Sequence, residues 1–367
     1  ERRLWDLYCH RSMGSDGFDN ARHHRCGESQ LMKRAPLQAG LSLIEVMISM
    51  AIGSVVILGV LSLFNANTET YNALQAQTRL QEGASFGLNV IARDLQRAGY
   101  RGCFSRGNIY SAVASVPVEF DIRSGLSVYN GNSDGTWTAS STALGSALSE
   151  AIDGTDIITL RFVENDEAYL STALVTGQES VAVTVVSAPP SPIISNITVN
   201  DLALISDCEK ATLFKVTSAS LDDAETTLTL GHAVSAASGN IVAGLAETGA
   251  FGTDAAVASI VSKTYFIKQG ASDLADKGGY SLYQYDGTAS AELVEGVEDL
   301  QILLGLDTDS DGVPNQYLDP SASIDTGQIV TILLEITANS INDAGSTEAD
   351  GLLRRTFRQT IKIRNAG

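Results

Sequence analysis

The chain has 367 residues, of which 44% are hydrophobic and 18% are charged, a composition typical of an ordered globular body rather than a disordered chain. The formal net charge is −19, which argues against nucleic acid as a partner because phosphate binding requires clustered Lys and Arg. Residues 1–40 carry seven Lys and Arg against five Asp and Glu, so the acidity belongs to the rest of the chain. Such an acidic body suits an extracytoplasmic location.

An apolar segment occupies residues 41–64, LSLIEVMISMAIGSVVILGVLSLF, in which Glu45 is the sole ionisable residue. As a helix it would measure about 36 Å at about 1.5 Å per residue, enough to cross a bilayer core of about 30 Å. We therefore predict a transmembrane helix; the alternative is a buried helix of a soluble domain. Lys33 and Arg34 precede the segment and no comparable basic cluster follows it, which predicts a cytoplasmic N-terminus.

A small-residue cleavage signal ending at Gly40 lies before the apolar segment, whereas an ordinary secretory signal has it afterwards. This order resembles the prepilin leader of type IV pilins and pseudopilins: a basic segment, a glycine before the cut, and a hydrophobic helix with Glu at the fifth mature position. Here Leu41 would be the first mature residue, where the family usually has Phe, and Glu45 the fifth. The resemblance implies cleavage after Gly40 and methylation of the Leu41 amine by the prepilin peptidase.

The resemblance also gives a domain organisation. Residues 1–40 would be the leader, with Met32 a candidate start and residues 1–31 then untranslated sequence. Residues 41–64 would span the membrane, residues 65–99 would continue the helix in the periplasm, and residues 100–367 would form a β-rich globular domain.

Glu45 needs a partner because a lone carboxylate in hydrocarbon costs a few kcal/mol. The resemblance implies that it pairs with the Leu41 amine of a neighbouring subunit in the assembled fibre, which would fix the register between helices. The alternative is an acid that reaches the membrane surface without a partner.

The helix continues beyond the membrane, because no proline interrupts the polar sequence that follows residue 64. Leu88, Ile91 and Leu95 follow the helical spacing of i, i+3 and i+7, so we predict one helix from residue 43 to residue 98, stopped by Gly99. Four glycines inside it are expected to bend it or to pack against other subunits: Gly53, Gly59, Gly83 and Gly87.

Several later segments sharpen the resemblance to the PilW-type minor pilins. They are ARDLQRAGYRGC (92–103), DGTDIITLRF (153–162), LISDCEKATLFKVT (204–217), LGLDTDSDGVPNQYLD (304–319) and RRTFRQTIKIRN (354–365). The resemblance extends over nearly the whole mature chain and implies an α+β pilin fold, in which a long helix packs on a mainly antiparallel β domain.

The body after residue 100 consists of short apolar or alternating runs separated by Gly, Asp, Asn and Ser, which predicts strands. The predicted strands are 156–163, 181–186, 211–217, 263–268, 281–285, 300–304, 329–337 and 356–364. In the last one, Phe357, Ile361 and Ile363 share one face, as a half-buried strand requires. The Ala/Ser/Gly-rich stretch 234–258 is predicted to be a loop.

Two cysteines remain after the leader, Cys103 and Cys208. In an exported domain, two cysteines favour a disulfide bond, here one that tethers the end of the helix to the β body. The alternative is two buried free thiols.

An acidic loop, Asp307-Thr-Asp309-Ser-Asp311-Gly312, has carboxylates at positions 1, 3 and 5 and glycine at position 6 of a calcium loop. Position 12 is Leu318, where an EF-hand has Glu, so full EF-hand geometry is not expected. A calcium-binding β-loop and a solvated acidic turn both fit this pattern, and the turn fits slightly better.

We expect no enzymatic activity. His232 is the one histidine after the leader, and no catalytic or phosphate-binding motif accompanies it. It is interpreted as a strand-end or loop residue, and the acidic pair Glu298-Asp299 as solvated.

The resemblance implies a minor pilin of the type IV pilus, anchored in the inner membrane by one helix and then built into the pilus at the cell surface, near its tip. Its partners would be other minor and major pilins, the prepilin peptidase and a PilY-type tip adhesin, in support of pilus assembly, twitching motility and adhesion. The alternatives are a large minor pseudopilin of a type II secretion system and a membrane-tethered enzyme or binding protein.

Overall fold

The computed structural model describes residues 42–104, 107–138, 150–164, 168–176, 182–186, 197–222, 227–235, 239–271, 279–321, 324 and 326–365. The chain divides into two compact units, residues 1–61 and residues 62–367. A single helix, α1 (Leu43–Leu95), supplies residues 43–61 to the first unit and residues 62–95 to the second.

The C-terminal end of α1 is shaped by glycine. The helix ends at Leu95, three residues before the predicted end, and residues 96–99 form a turn. Gly99 has a φ of +74°, which a residue with a Cβ adopts only with strain, and its amide donates to the Arg161 carbonyl at 2.8 Å. A Cβ on Gly125 would lie 2.3 Å from the Gly99 Cα, so two backbone segments meet here without side chains.

The second-unit part of α1 buries one stripe of side chains, which includes Leu80, Ala84, Leu88, Ile91 and Leu95. This spacing of three or four residues is the pattern of an amphipathic helix that packs on a core. The stripe lies against the β domain, as the sequence predicted.

The glycines of α1 differ in their surroundings. A Cβ on Gly83 would lie 3.1 Å from Val294, and one on Gly87 would lie 3.0 Å from Leu282. These two glycines therefore let the helix approach strands of its own chain, which was not predicted from the sequence. Gly53 and Gly59 have no such neighbour within 4 Å.

The second unit is built from two sheets, in which the described strands pair mainly antiparallel. The larger sheet contains β1 (Ile109–Ser111), β2 (Leu126–Gly131), β3 (Trp137–Thr138), β4 (Ile157–Val163), β5 (Ala168–Leu170), β6 (Ala182–Val186), β7 (Leu202–Ser206), β8 (Ala211–Lys215), β9 (Ser218–Leu221), β10 (Thr227–Gly231), β11 (Ala256–Gln269), β12 (Tyr280–Tyr285) and β13 (Ser290–Glu295). The smaller sheet has the order β15-β14-β16-β17, formed by β14 (Val297–Leu306), β15 (Gln316–Leu318), β16 (Ile329–Asn339) and β17 (Arg354–Lys362). Each of the eight predicted strands overlaps one of these strands, and the predicted α+β fold is confirmed.

The long strand β11 joins the two parts of the larger sheet. Its first residues, 256–259, pair with β5 and β7, and residues 260–269 pair with β4 and β12. β11 begins inside the stretch that the sequence predicted to be a loop. Short strands β1 and β8 pair in parallel.

Two main hydrophobic cores result. The first includes Leu88, Ile91 and Leu95 of α1 together with residues of β11 and of the smaller sheet, such as Tyr265 and Ile336. The second lies among β5 to β10 and the start of β11. The helix is thus held by the first core, and the second core is formed by strands and the loops between them.

Candidate functional site

The N-terminal turn of α1 carries the predicted assembly residue. Gly40 and Leu41 lie outside the described residues, so cleavage and methylation stay predictions. Ser42 caps the helix, because its Oγ accepts a hydrogen bond from the Glu45 amide at 3.2 Å. Glu45 is exposed in the first turn, where a negative charge is favoured by the helix dipole. Its pairing with an amine of a neighbouring subunit stays a prediction.

The apolar side chains that follow Glu45 are exposed, with exposed fractions of 78% for Leu43 and 66% for Phe64. Within the described residues, α1 is the helix long and apolar enough to cross a membrane, and none of its most apolar 18-residue window is buried. An apolar surface of this extent requires a cover of lipid or of other helices.

A buried charge ties α1 to β11. Asp94 is 1% exposed, and its Oδ2 accepts hydrogen bonds from the Lys263 Nζ at 2.8 Å and the Tyr265 hydroxyl at 2.5 Å. Burial, followed by the hydrogen bond to Asp94, raises the pKa of Tyr265 far above its ordinary value, so this hydroxyl keeps its proton. This contact was not predicted from the sequence. The available signal was an acid between Ile91 and Leu95 on the apolar side of the helix.

The predicted disulfide bond is confirmed. Cys103 and Cys208 are joined with their Cα atoms 4.7 Å apart, across 105 residues of sequence. Cys103 follows the end of α1, and Cys208 lies in the turn between β7 and β8. Asp207 organises that turn, since its carboxylate accepts the amides of Glu209 and Lys210 at 2.8 Å each. The bond therefore links the segment after the helix to the larger sheet.

The acidic loop brings its three predicted carboxylates together. Oxygen atoms of Asp307, Asp309 and Asp311 all lie within 4.8 Å of one another. Asp307 is 8% exposed, and burial tends to raise its pKa, but backbone hydrogen bonds, including one from the Gly312 amide at 2.7 Å, outweigh this and hold the pKa below its ordinary value. Leu318 lies in β15. The loop is thus closed by its own hydrogen bonds, and calcium binding stays a prediction.

His232 follows β10 directly, which agrees with its interpretation as a strand-end or loop residue, and it is 1% exposed. Its ring packs edge-on against Phe214, with centroids 5.6 Å apart. Both ring nitrogens lack a hydrogen-bond partner among the described residues, and burial lowers the pKa to about 4. The ring is therefore neutral at pH 7 and packs as part of the body.

The acidic pair Glu298-Asp299 was expected to be solvated, but both residues are partly buried. Both residues lie in β14, and Glu298 accepts hydrogen bonds from Arg354 of β17 at 2.8 and 2.9 Å and from the Asn339 amide group at 2.8 Å. The error arose because the partners lie 41 and 56 residues away in the sequence.

Two protein-family models match the chain. The model of the prokaryotic N-terminal methylation motif matches residues 36–61, which contain Gly40, Leu41, Glu45 and the first part of α1. The model of the type IV pilus-assembly protein W matches residues 264–350, from the second half of β11 to the loop after β16.

The two matches support a PilW-like type IV pilin. The matches confirm the resemblance inferred from the sequence, and they indicate that the PilW-like pilin is a structural subunit and not an enzyme. The methylation motif and the apolar helix support membrane anchoring and assembly into a pilus. No curated protein and no solved structure matches this PilW-like pilin.

Proposed function

We propose that this PilW-like pilin is a minor subunit that helps to start type IV pilus assembly near the fibre tip, and so supports twitching motility and adhesion. The prepilin peptidase cleaves it after Gly40 and methylates Leu41, while Lys33 and Arg34 keep the N-terminus in the cytoplasm. The observation that carries the proposal is the match to the methylation motif on an apolar helix whose surface is exposed.

The physical basis is a transfer of the apolar segment from lipid to a packed bundle of helices. Both surroundings are apolar, so the transfer exposes little apolar surface to water. Glu45 is the polar exception, and pairing with the Leu41 amine of a neighbour would offset part of its desolvation and set the register of the bundle. Other minor and major pilins are the proposed neighbours, with a PilY-type tip adhesin on the β body.

The first experiment is to determine the mass and N-terminal sequence of the protein in sheared surface fibres. A chain that begins with methylated Leu41 supports processing and pilus residence together. An unprocessed chain found in membranes alone would contradict the proposal, because the apolar helix would then be a simple anchor.

A second experiment tests Glu45. We expect Glu45→Ala to insert and to be cleaved normally but to be lost from fibres, because the register-setting pair is absent. Glu69→Ala, an exposed acid of α1 beyond the apolar segment, serves as the control and should enter fibres. Normal incorporation of Glu45→Ala would refute the pairing.

Pseudopilins carry the same methylation motif. Deletion of the gene is therefore needed to distinguish a pilus subunit from a subunit of a type II secretion system. Loss of surface pili and twitching with intact secretion supports the pilus subunit. Loss of type II secretion with intact pili would instead assign the chain to the secretion machine.

A further inference from the structure

A pocket of about 430 Å³ lies beside the Cys103–Cys208 disulfide bond. Its volume falls within the range of about 300–1,000 Å³ that is usual for ligand sites. Ala256 of β11, which lines the pocket, pairs with Tyr169 of β5 on one side and with Ser206 of β7 on the other. The small side chain at this central position leaves space between larger neighbours.

The lining is negatively charged. It contains three carboxylates, Glu164, Asp207 and Asp254, and no lysine or arginine among the described residues. Asp207 is neutralised by the Lys210 ammonium group at 2.6 Å. Within the described part of the chain, Glu164 and Asp254 take part in no ion pair, so these two carboxylates have no counterion among the described residues.

The remaining lining suits a cationic side chain that has an aliphatic stem and a planar charged group. Tyr100 and Tyr169 provide aromatic rings, and Ala256, Ala258 and Leu204 provide apolar surface. A guanidinium group stacks on aromatic rings and binds carboxylates in a bidentate manner, while its aliphatic stem covers apolar atoms.

We propose that this pocket binds a guanidinium or ammonium group on a short aliphatic stem, and that an arginine side chain of a neighbouring protein chain supplies it. The pocket combines two tyrosines and an apolar hollow with two carboxylates that form no ion pair with any described residue, which distinguishes it from a solvated acidic surface. The proposal does not depend on pilus assembly, because any chain that presents an arginine would fit.

The test is a calorimetric titration of the full chain in detergent micelles with two blocked amino acids. N-acetyl-arginine amide carries the cation, and N-acetyl-citrulline amide has nearly the same shape without the charge. We expect the arginine probe to bind about tenfold more tightly than the citrulline probe, since charge-assisted hydrogen bonds and ring contacts are lost with the charge. Equal binding of the two probes, or no binding of either at millimolar concentration, would overturn the proposal.

The double variant Glu164→Gln/Asp254→Asn should weaken the arginine probe by about tenfold. The matched control, Glu82→Gln/Glu348→Gln, removes the same charge from exposed residues outside the lining and should bind like the wild type. Urea unfolding of each variant shows whether a loss of probe binding is caused by misfolding. A folded pocket variant that binds like the control would contradict the assignment.

A third probe separates the two sources of the cation. Putrescine represents a free small cation, and a Gly-Arg-Gly peptide represents a side chain on a protein. Tighter binding of the peptide supports a neighbouring chain, whereas tighter binding of putrescine would assign the pocket to a free cation and overturn that part of the proposal.

Discussion

Replacement of Asp94 by Asn tests how the long helix is held on the β domain. The change keeps the size of the side chain but removes the negative charge that accepts hydrogen bonds from Lys263 and Tyr265. Breaking a fully buried ion pair costs about 3 to 5 kcal/mol. The Lys263 side chain is 24% exposed and can regain some hydration, so we expect a smaller loss of unfolding free energy, about 2 to 3 kcal/mol.

The measurement is urea unfolding of the chain in detergent micelles, followed by the fluorescence of Trp137, whose indole N–H donates to the Thr155 carbonyl at 3.0 Å. The matched control is Glu82→Gln, which removes one exposed negative charge from the same helix and should change stability by less than about 0.5 kcal/mol. A changed midpoint with an unchanged slope would show that stability, and not the compactness of either state, has altered.

A double variant tests whether Asp94 and Lys263 stabilise the fold together. Lys263→Met removes the ammonium group that Asp94→Asn leaves unpaired, so the combined loss should be smaller than the sum of the two single losses. Strict additivity, or an Asp94→Asn variant as stable as the control, would show that this contact does not hold the helix.

Three further predictions concern the β body. Burial lowers the pKa of His232 from 6.5 to about 4, so on acidification the unfolded chain takes up a proton first and the unfolding free energy falls between about pH 6.5 and 4. Between pH 7 and pH 4.5 the wild type should lose about 2 to 3 kcal/mol more unfolding free energy than His232→Phe, and parallel pH profiles would contradict this. Loss of the disulfide bond in Cys103→Ser/Cys208→Ser should lower the unfolding free energy by about 4 to 5 kcal/mol in the chain-entropy model, whereas reduction that leaves the urea midpoint unchanged would contradict that model. We expect 1 mM calcium to leave the urea midpoints of the wild type and of Asp309→Asn each unchanged; a rise confined to the wild type would establish a calcium site instead of a self-closed turn.

Elements with a strong local pattern could be predicted from the sequence. The apolar run defines the first part of α1, and alternation along β16 and β17 separates inward from outward residues, with Ile361 and Ile363 buried as expected. The disulfide bond was predictable because residues 41–367 contain one pair of cysteines.

Elements that depend on distant partners could not be predicted. Residues 256–259, Ala-Val-Ala-Ser, have weak strand propensity, and they extend because β5 and β7 pair with them on both sides. The position of Asp94 on the apolar side of the helix indicates burial, but its partner Lys263 lies 169 residues later and could not be inferred. The acidic pocket is likewise assembled from segments that the sequence separates by about 150 residues.

The pairing of β11 on both of its edges has a mechanical consequence for any pulling force that reaches the long helix. Tension that reaches α1 passes through Asp94 to Lys263 and Tyr265, and hence into β11. From there it is divided among the ladders with β4, β5, β7 and β12. No single hairpin bears the whole load along this route, and both cores must yield before the strand is pulled free.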